Sequence, residues 1–398
     1  MTEEIKPLNL IWISDFDIIG SGYLNLSVPL CTGLANKGHN IKAIGIGYKG
    51  QEHFYPFSII PCTSIQESLM MFQNIYNMWH YDALIVAMDL HVHNPFLQIL
   101  QNKKPFSYVG ISPIEAPPLC MTWAMVLSQA DKAFIISEFG AEEARRVGVI
   151  EAEHLQIGID TETWQPATLE EKKTFRSAML GIEDDTFVVL TIADNQERKN
   201  LAAAMEIFKE FSKDKKALYV LVTRENSPVG WRLRDYAQEL GITNKFMLFE
   251  RGMPFKELWM MYACADCFLL TSKSEGLGMC LLESMAMKIP TIATDCTGMA
   301  ELLANDRGIL IPSEYTHRDP FGNGTRWWID KKLAVEALQN VYDKTIYPSI
   351  NVTYSDIEDA RKYVEDRNWE QSILRLEEVL LKLRSEREPI KDSGNSSN

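Results

Sequence analysis

No stretch of this sequence approaches the roughly 20 consecutive apolar residues that a membrane span requires. The most apolar segment, Leu258–Leu270, is interrupted by Asp266. The opening MTEEIKPLNL holds no basic segment followed by an apolar one, so no signal peptide is expected. Positive charge is scarce. The 40 Lys and Arg stand against 54 Asp and Glu, a net charge of -14, which makes the chain a poor non-specific partner for DNA or an anionic membrane. Cysteines are few and odd in number: Cys31, Cys62, Cys120, Cys264, Cys267, Cys280 and Cys296. Most lie in apolar contexts, so reduced thiols in the cytoplasm are expected, with peripheral membrane contact left open. No strongly basic amphipathic helix supports that contact. Solenoid repeats and low-complexity blocks are also missing.

What is present is an alternation. The 398 residues, 46% hydrophobic, suffice for two or three domains. Short apolar runs read as buried strands: Leu8–Ile13, Ile41–Ile46, Ala83–Met88, Phe106–Ile111 and Ala133–Ile136. A second series restarts at Phe187–Ile192. It continues through Leu218–Thr223, Lys245–Phe249, Cys267–Thr271, Thr291–Ala293 and Gly308–Ile311. Helical stretches such as Ala141–Val147, Leu201–Phe211, Trp231–Leu240, Phe255–Tyr262 and Met279–Met287 lie between them. The expected class is α/β, with two doubly wound parallel-sheet domains in tandem and a linker near Thr161–Pro166. Residues 1–163 form the first domain and 164–354 the second. Residues 355–388 read as helix, with a stripe at Ile373, Leu376, Leu380 and Leu383 that buries one face. Residues 389–398 read as a frayed polar tail.

Ligands bind at the carboxyl ends of strands in such folds. Two segments carry the chemistry there. In Thr271–Glu301, Glu275 sits in a loop after a strand, and Glu283 lies seven intervening residues on, about a turn into a helix. Gly276 and Gly278 let a ligand approach the backbone. The N–H groups of the helix start carry roughly +0.5 charge, which suits a phosphate. In Asn195-Gln196-Glu197-Arg198-Lys199, an Arg fork and a Lys point charge stand where they could stabilise a leaving diphosphate.

The stretch SEGLGMCLLESMAMKIPTIATDCTGMAELL resembles the E-x7-E signature of retaining GT-B glycosyltransferases, above all family 4, or group 1. TFVVLTIADNQERKNLAAAMEIFKEF and ITNKFMLFERGMPFKELWMMYACADCFLL resemble that family's segments leading to the motif. IGIDTETWQP resembles its interdomain linker. GSGYLNLSVPLCTGLANKGHNIKAI resembles its first glycine loop and helix. The resemblance implies two Rossmann-like domains facing across a cleft, with C-terminal helices crossing back. It implies a retaining, metal-independent transfer of a hexose from a UDP- or GDP-sugar, UDP favoured, to an acceptor hydroxyl. No cofactor is implied beyond the nucleotide sugar. Glu275 would bind sugar hydroxyls, and Gly276, Leu277 and Gly278 the sugar and diphosphate. Glu283 would bind the ribose. Arg198 and Lys199 would act on the leaving group, with Asn195 beside them. Arg251 and Met253 fall where the base-binding loop lies, and Gly20 and Gly22 in the N-terminal glycine loop. One position departs from the family: its usual Arg is Asp194 here, and Arg198 lies beside Lys199 instead.

On the acceptor side, Glu115 in Ser112–Pro118 and His91 are candidates. His91-Val92-His93 has no third ligand motif nearby, and Cys264-Ala265-Asp266-Cys267 has no second pair, so no metal is assigned. The acceptor stays open among glycan, lipid-linked, protein or nucleic-acid hydroxyls. Two alternatives share these residues: a non-catalytic sugar-nucleotide binding protein, and a transferase acting on modified DNA or protein.

Overall fold

The structure, a computed structural model, describes residues 6–19, 22–99, 106–346 and 356–387. Gly20 and the tail 389–398 lie outside them. The first sheet holds β1 (Asn9–Asp15), β2 (Asn40–Ile46), β3 (Ser58–Cys62), β4 (Ala83–Ala87), β5 (Ser107–Ser112), β6 (Lys132–Ile135) and β7 (Glu153–His154). Its order is β3-β2-β1-β4-β5-β6-β7, all parallel. The second holds β8 (Phe187–Ile192), β9 (Ala217–Thr223), β10 (Phe246–Glu250), β11 (Cys267–Leu270), β12 (Thr291–Thr294) and β13 (Ile309–Ile311). Its order is β10-β9-β8-β11-β12-β13, again parallel. Each order reverses once, at β1/β4 and at β8/β11, and these switch points open the crevices where ligands bind.

Burial explains the composition. Every residue of β4, β5 and β9 is buried, because helices cover both faces of the sheet. That is why ALIVA and ALYVLVT read as unbroken apolar runs. The edge strand β10 is half-buried to exposed. The architecture is the α/β, GT-B arrangement expected from the sequence.

Some strands were not expected from the sequence, the two-residue edge strand β7 among them. β3 was not expected either, because Ser58-Ile59-Ile60-Pro61-Cys62 is an edge strand with weak alternation. A two-stranded antiparallel hairpin, β14 (Ser313–Arg318) and β15 (Thr325–Ile329), follows β13 and was also missed. The C-terminal helical stretch comprises Ile357–Glu365 and Trp369–Arg387. The chain turns between them because the Arg367 carbonyl accepts the Ile159 N–H (3.0 Å), so the backbone bends to meet the linker.

Those helices hold the two halves together. Arg361 donates to the carbonyls of Thr161 (2.9 Å), Trp164 (2.5 Å) and Ala286 (2.6 Å), joining linker to C-terminal domain. Helix Trp369–Arg387 then crosses back onto helix Gly22–Asn36. Gly33 is glycine because any Cβ there would collide with Ile373. Glu377 pairs with His39 and Lys37, each at 2.9 Å. Among the described residues, no helix is long and apolar enough to cross a membrane.

Candidate active site

The cleft between the two switch points is built around Glu275. β8 is followed by a short 3₁₀ turn, Glu197–Lys199, which ends at Asn200 in the left-handed region (φ 52°) before helix Leu201–Phe211 begins. Asn tolerates that conformation better than most residues. The turn presents Arg198 and Lys199 to the loop after β11. Glu275 is only 6% exposed there. Lys199 Nζ lies 2.5 Å from its Oε1, and Arg198 Nη1 lies 2.9 Å from its Oε2. Ser272 Oγ donates to Oε1 (2.6 Å), and the Glu275 N–H donates to Thr297 Oγ1 (3.0 Å). Burial alone would raise this carboxyl's pKa, but Lys199 and Arg198 outweigh burial and hold it at about 2. Arg198 is held above its usual range: burial opposes its charge, and Glu115 and Glu275 more than compensate.

Arg198 also crosses the cleft. Its Nη2 lies 2.8 Å from Glu115 Oε1 in the loop after β5, and its Nη1 donates to the Ser274 carbonyl (2.6 Å). The acceptor-side candidate and the leaving-group candidate are therefore one ion-paired unit.

The two glycines of the motif do different work. Gly278 (φ 95°) is left-handed and starts helix Met279–Ala286. The first N–H groups of that helix have no intrahelical partner. A Cβ on Gly276 would stand 2.5 Å from Pro113 Cβ, so here the opposite loop, Ser112–Pro118, sits against the glycine. The expectation of an open approach at Gly276 is corrected to that extent. Leu277 is buried in the core.

Glu283 is 8% exposed and accepts a 2.5 Å hydrogen bond from the Tyr262 hydroxyl. Burial pushes its carboxyl up to about 7, with the Tyr262 hydrogen bond acting against the rise. Tyr262 lies on helix Phe255–Cys264.

The remaining candidates are dispersed around this centre. Arg251 Nη1 lies 2.8 Å from Asp194 Oδ1, and its Nε donates to the Ile19 carbonyl (2.8 Å), so it ties the second domain to the first glycine loop. Met253 is half-buried against the core. Gly22 opens helix Gly22–Asn36. Asp15 and Asp17 cap turns in the loop before it, accepting from the N–H groups of Asp17 (2.8 Å) and Ile19 (3.0 Å). Asn195 is a correction: its side chain is buried and faces the protein. It accepts from the Trp231 N–H (2.9 Å) and donates to the Trp231 carbonyl (2.9 Å). His91 lies at the surface, 5.8 Å edge-on from Phe321. His93 is buried, bonded to Tyr108, Ser112 and the Met88 carbonyl. The two histidines thus have separate surroundings. Among the described residues, no group of three His, Cys, Asp or Glu could hold a metal ion.

Sequence reasoning missed three residues at this site. Tyr23 donates to Asp89 Oδ1 (2.6 Å) on the cleft side of the first domain. Arg326, on β15, reaches Ser274 Oγ and Glu115. Lys273 lies 3.5 Å over the Trp328 ring and pairs with Glu197. The Asn323-Gly324 pair before Thr-Arg-Trp-Trp-Ile is a hairpin signal that would have found the strand carrying Arg326.

Comparison with known proteins agrees with this fold. Residues 172–342 match the family described as "Glycosyl transferases group 1". The D-inositol 3-phosphate glycosyltransferase of Thermobifida fusca is 28% identical over 196 residues, 47% of this chain and 43% of that protein. A GDP-mannose-dependent monoacylated alpha-(1-6)-phosphatidylinositol monomannoside mannosyltransferase of Corynebacterium glutamicum is 28% identical over 169 residues, 40% of this chain and 42% of the relative. The chain thus spans less than half the length of these curated relatives. The structure is similar to sucrose-phosphate synthase from Thermosynechococcus elongatus (TM-score 0.76, 15% identity, 95% of this chain and 100% of the other). It is also similar to Anabaena HepE in complex with UDP-glucose (TM-score 0.71, 13% identity, 94% and 100%). Residues 172–342 are thus similar to the group 1 glycosyltransferases, and the chain has the two-sheet GT-B fold of these neighbours.

Proposed function

We propose that this protein transfers a hexose from a nucleotide diphosphate sugar to an acceptor hydroxyl, with retention of configuration and without a metal ion. UDP is favoured over GDP as the carrier. The observation that carries the reading is Glu275 gripped between Lys199 and Arg198 beside a glycine-started helix. A diphosphate offers those cations the same negative charge that the carboxylate offers now, so they are already positioned for it. The helix start adds fractional positive charge.

As the glycosidic C–O bond breaks, its electron pair goes to the departing phosphate oxygen. Arg198, Lys199 and the helix N–H groups stabilise that charge. Glu275, released from part of its ion pairing, accepts hydrogen bonds from the sugar hydroxyls. The acceptor oxygen attacks the face the phosphate leaves, and the phosphate oxygen takes the acceptor's proton. The products are a glycoside of unchanged configuration and a nucleoside diphosphate. The protein supplies position and charge rather than a nucleophile. Glu115 faces the acceptor's side of the cleft, and Glu283 faces the ribose. The UDP-glucose complex of a fold neighbour, HepE, supports the donor class.

A thermal-shift screen against UDP, GDP, ADP and their sugars, without added metal, tests this. A ligand at 100 times its Kd adds about 2.7 kcal/mol of stability. We expect a shift with one nucleotide family, abolished in Glu283→Ala. A flat response to all of them would sink the proposal.

A further inference from the structure

Two arginines of the C-terminal domain converge on one carboxylate of the N-terminal domain. Arg198 Nη2 takes Glu115 Oε1 at 2.8 Å, and Arg326 Nη1 stands 3.9 Å from Glu115 Oε2. Arg198 belongs to the turn already described. Arg326 belongs to the β14–β15 hairpin, which grips both domains.

One side of the hairpin backs the Glu275 loop. The Trp327 N–H donates to the Lys273 carbonyl (2.9 Å), and Arg326 Nη1 donates to Ser274 Oγ. Arg326 Nε donates to Asp319 Oδ2 (2.9 Å), which fixes the plane of the guanidinium. The other side lies on the N-terminal domain. The Thr325 N–H donates to the Pro117 carbonyl (2.8 Å), and a Cβ on Gly324 would stand 2.9 Å from Ala116. At the tip, the Phe321 ring lies 5.1 Å from Trp123 and 5.8 Å from His91. Lys273, the neighbouring cation, is held by Glu197 and the Trp328 ring instead.

We propose that Arg326 is a positioning residue: by joining Glu115 of one domain to Ser274 of the other, it sets the aim of Glu275 at the donor's sugar when the domains meet. This rests on the transferase reading above. Ser274 directly precedes Glu275, and its carbonyl is held by Arg198, so moving its hydroxyl moves the carboxylate's anchor. Lysine is a point charge and cannot reproduce contacts in three directions. The diphosphate, by contrast, meets Arg198, Lys199 and the helix start, none of which is carried on the hairpin.

The two parts of the donor therefore separate the effect. Calorimetry on the full chain would compare UDP with UDP-glucose, and GDP with GDP-mannose, in wild type, Arg326→Ala, Arg326→Lys and Ser274→Ala. In Arg326→Ala we expect the affinity for the sugar nucleotide, relative to its free nucleotide, to fall roughly tenfold, the size of one charge-assisted hydrogen bond. Free-nucleotide affinity should stay within about twofold, since the groups expected to hold the diphosphate are untouched. Arg326→Lys should recover part of the ratio. Ser274→Ala, a milder change that stands in if Arg326→Ala does not fold, should reproduce the loss. A ratio unchanged in these variants, or an equal weakening of both ligands, overturns the inference. If wild type binds neither nucleotide pair, the transferase reading fails first and this inference fails with it.

Discussion

The two domains share one plan, a parallel sheet reversed at a switch point, yet they arm their strand ends differently. In the first domain, the loop after β1 turns its aspartates inward on the backbone: Asp15 and Asp17 cap N–H groups of their own loop. Across the cleft it offers Glu115 to Arg198. In the second domain, Arg198, Lys199 and Glu275 lie together in mutual ion pairs. A buried charge is tolerated only when paired, so these groups must be supplied as a set. On the proposed reading, the domain that holds a charged leaving group needs such a set. On the same reading, the domain that meets a neutral hydroxyl does not. A smaller contrast lies inside the motif: Glu275 is held ionised by cations, while Glu283 is held toward its neutral form by an apolar pocket.

The largest test of this contrast is Glu275→Gln. It leaves Lys199 and Arg198 facing a neutral amide, and breaking a buried pair costs about 3–5 kcal/mol. Because the folded pKa is lowered, the wild-type advantage is present above the unfolded value of 4.5 and is lost as pH falls toward about 2. Urea unfolding at pH 7 and at the lowest pH the fold survives should show the gap between variant and wild type closing with acid. A gap independent of pH would break the comparison.

Next is Lys199→Ala. Losing one hydrogen bond to a charged group, at about 1.5–3 kcal/mol, predicts a roughly 10- to 150-fold lower rate of sugar transfer. Steady-state assay of nucleoside diphosphate release checks it. An unchanged rate would remove Lys199 from the leaving-group role, and nucleotide binding with no turnover in wild type would favour a binding protein over an enzyme.

Glu283→Gln inverts the sign. The folded pKa of Glu283 is raised, so wild type loses stability as pH rises from about 4.5 to about 7. The glutamine keeps an acceptor for the Tyr262 hydroxyl and does not titrate. Above pH 7 the variant should be the more stable protein, by about 1–3 kcal/mol. Parallel thermal melts at pH 5 and pH 8 would show the curves diverging only at the higher pH.

The smallest effect belongs to the seam. Phe321 is 53% exposed, and its ring contact with Trp123 is worth about 0.5–1.5 kcal/mol. Phe321→Ala should lower stability by about 1 kcal/mol in urea titration, with the same loss in Trp123→Ala/Phe321→Ala as in Trp123→Ala alone. Additive losses would show that the rings do not interact.

Much of this was legible in the residues. Strands such as β8 and helices such as Leu201–Phe211 are read to the residue because long apolar runs and 3.6-residue periodicity are local signals. Arg198, Lys199 and Glu275 could be placed at strand ends for the same reason. What escaped was either weakly patterned or non-local. Ser58–Cys62 is an edge strand with a proline. The β14–β15 hairpin carries polar and aromatic residues suited to lying on another domain rather than in a core. Asn195 sits in a motif, but only the packing of Trp231 turns its amide inward.

By itself, then, the sequence determined the α/β alternation, two domains and the residues at the strand ends, since these follow from propensity and periodicity along the chain. Tertiary structure alone decided that Glu115 of one domain meets Arg198 and Arg326 of the other. It alone decided that Pro113 lies against Gly276, and that two glutamates of one motif are driven to opposite protonation tendencies. Charge pairing and burial depend on neighbours in space, and residues 115, 198, 275 and 326 are neighbours only once both sheets have formed and closed on one another.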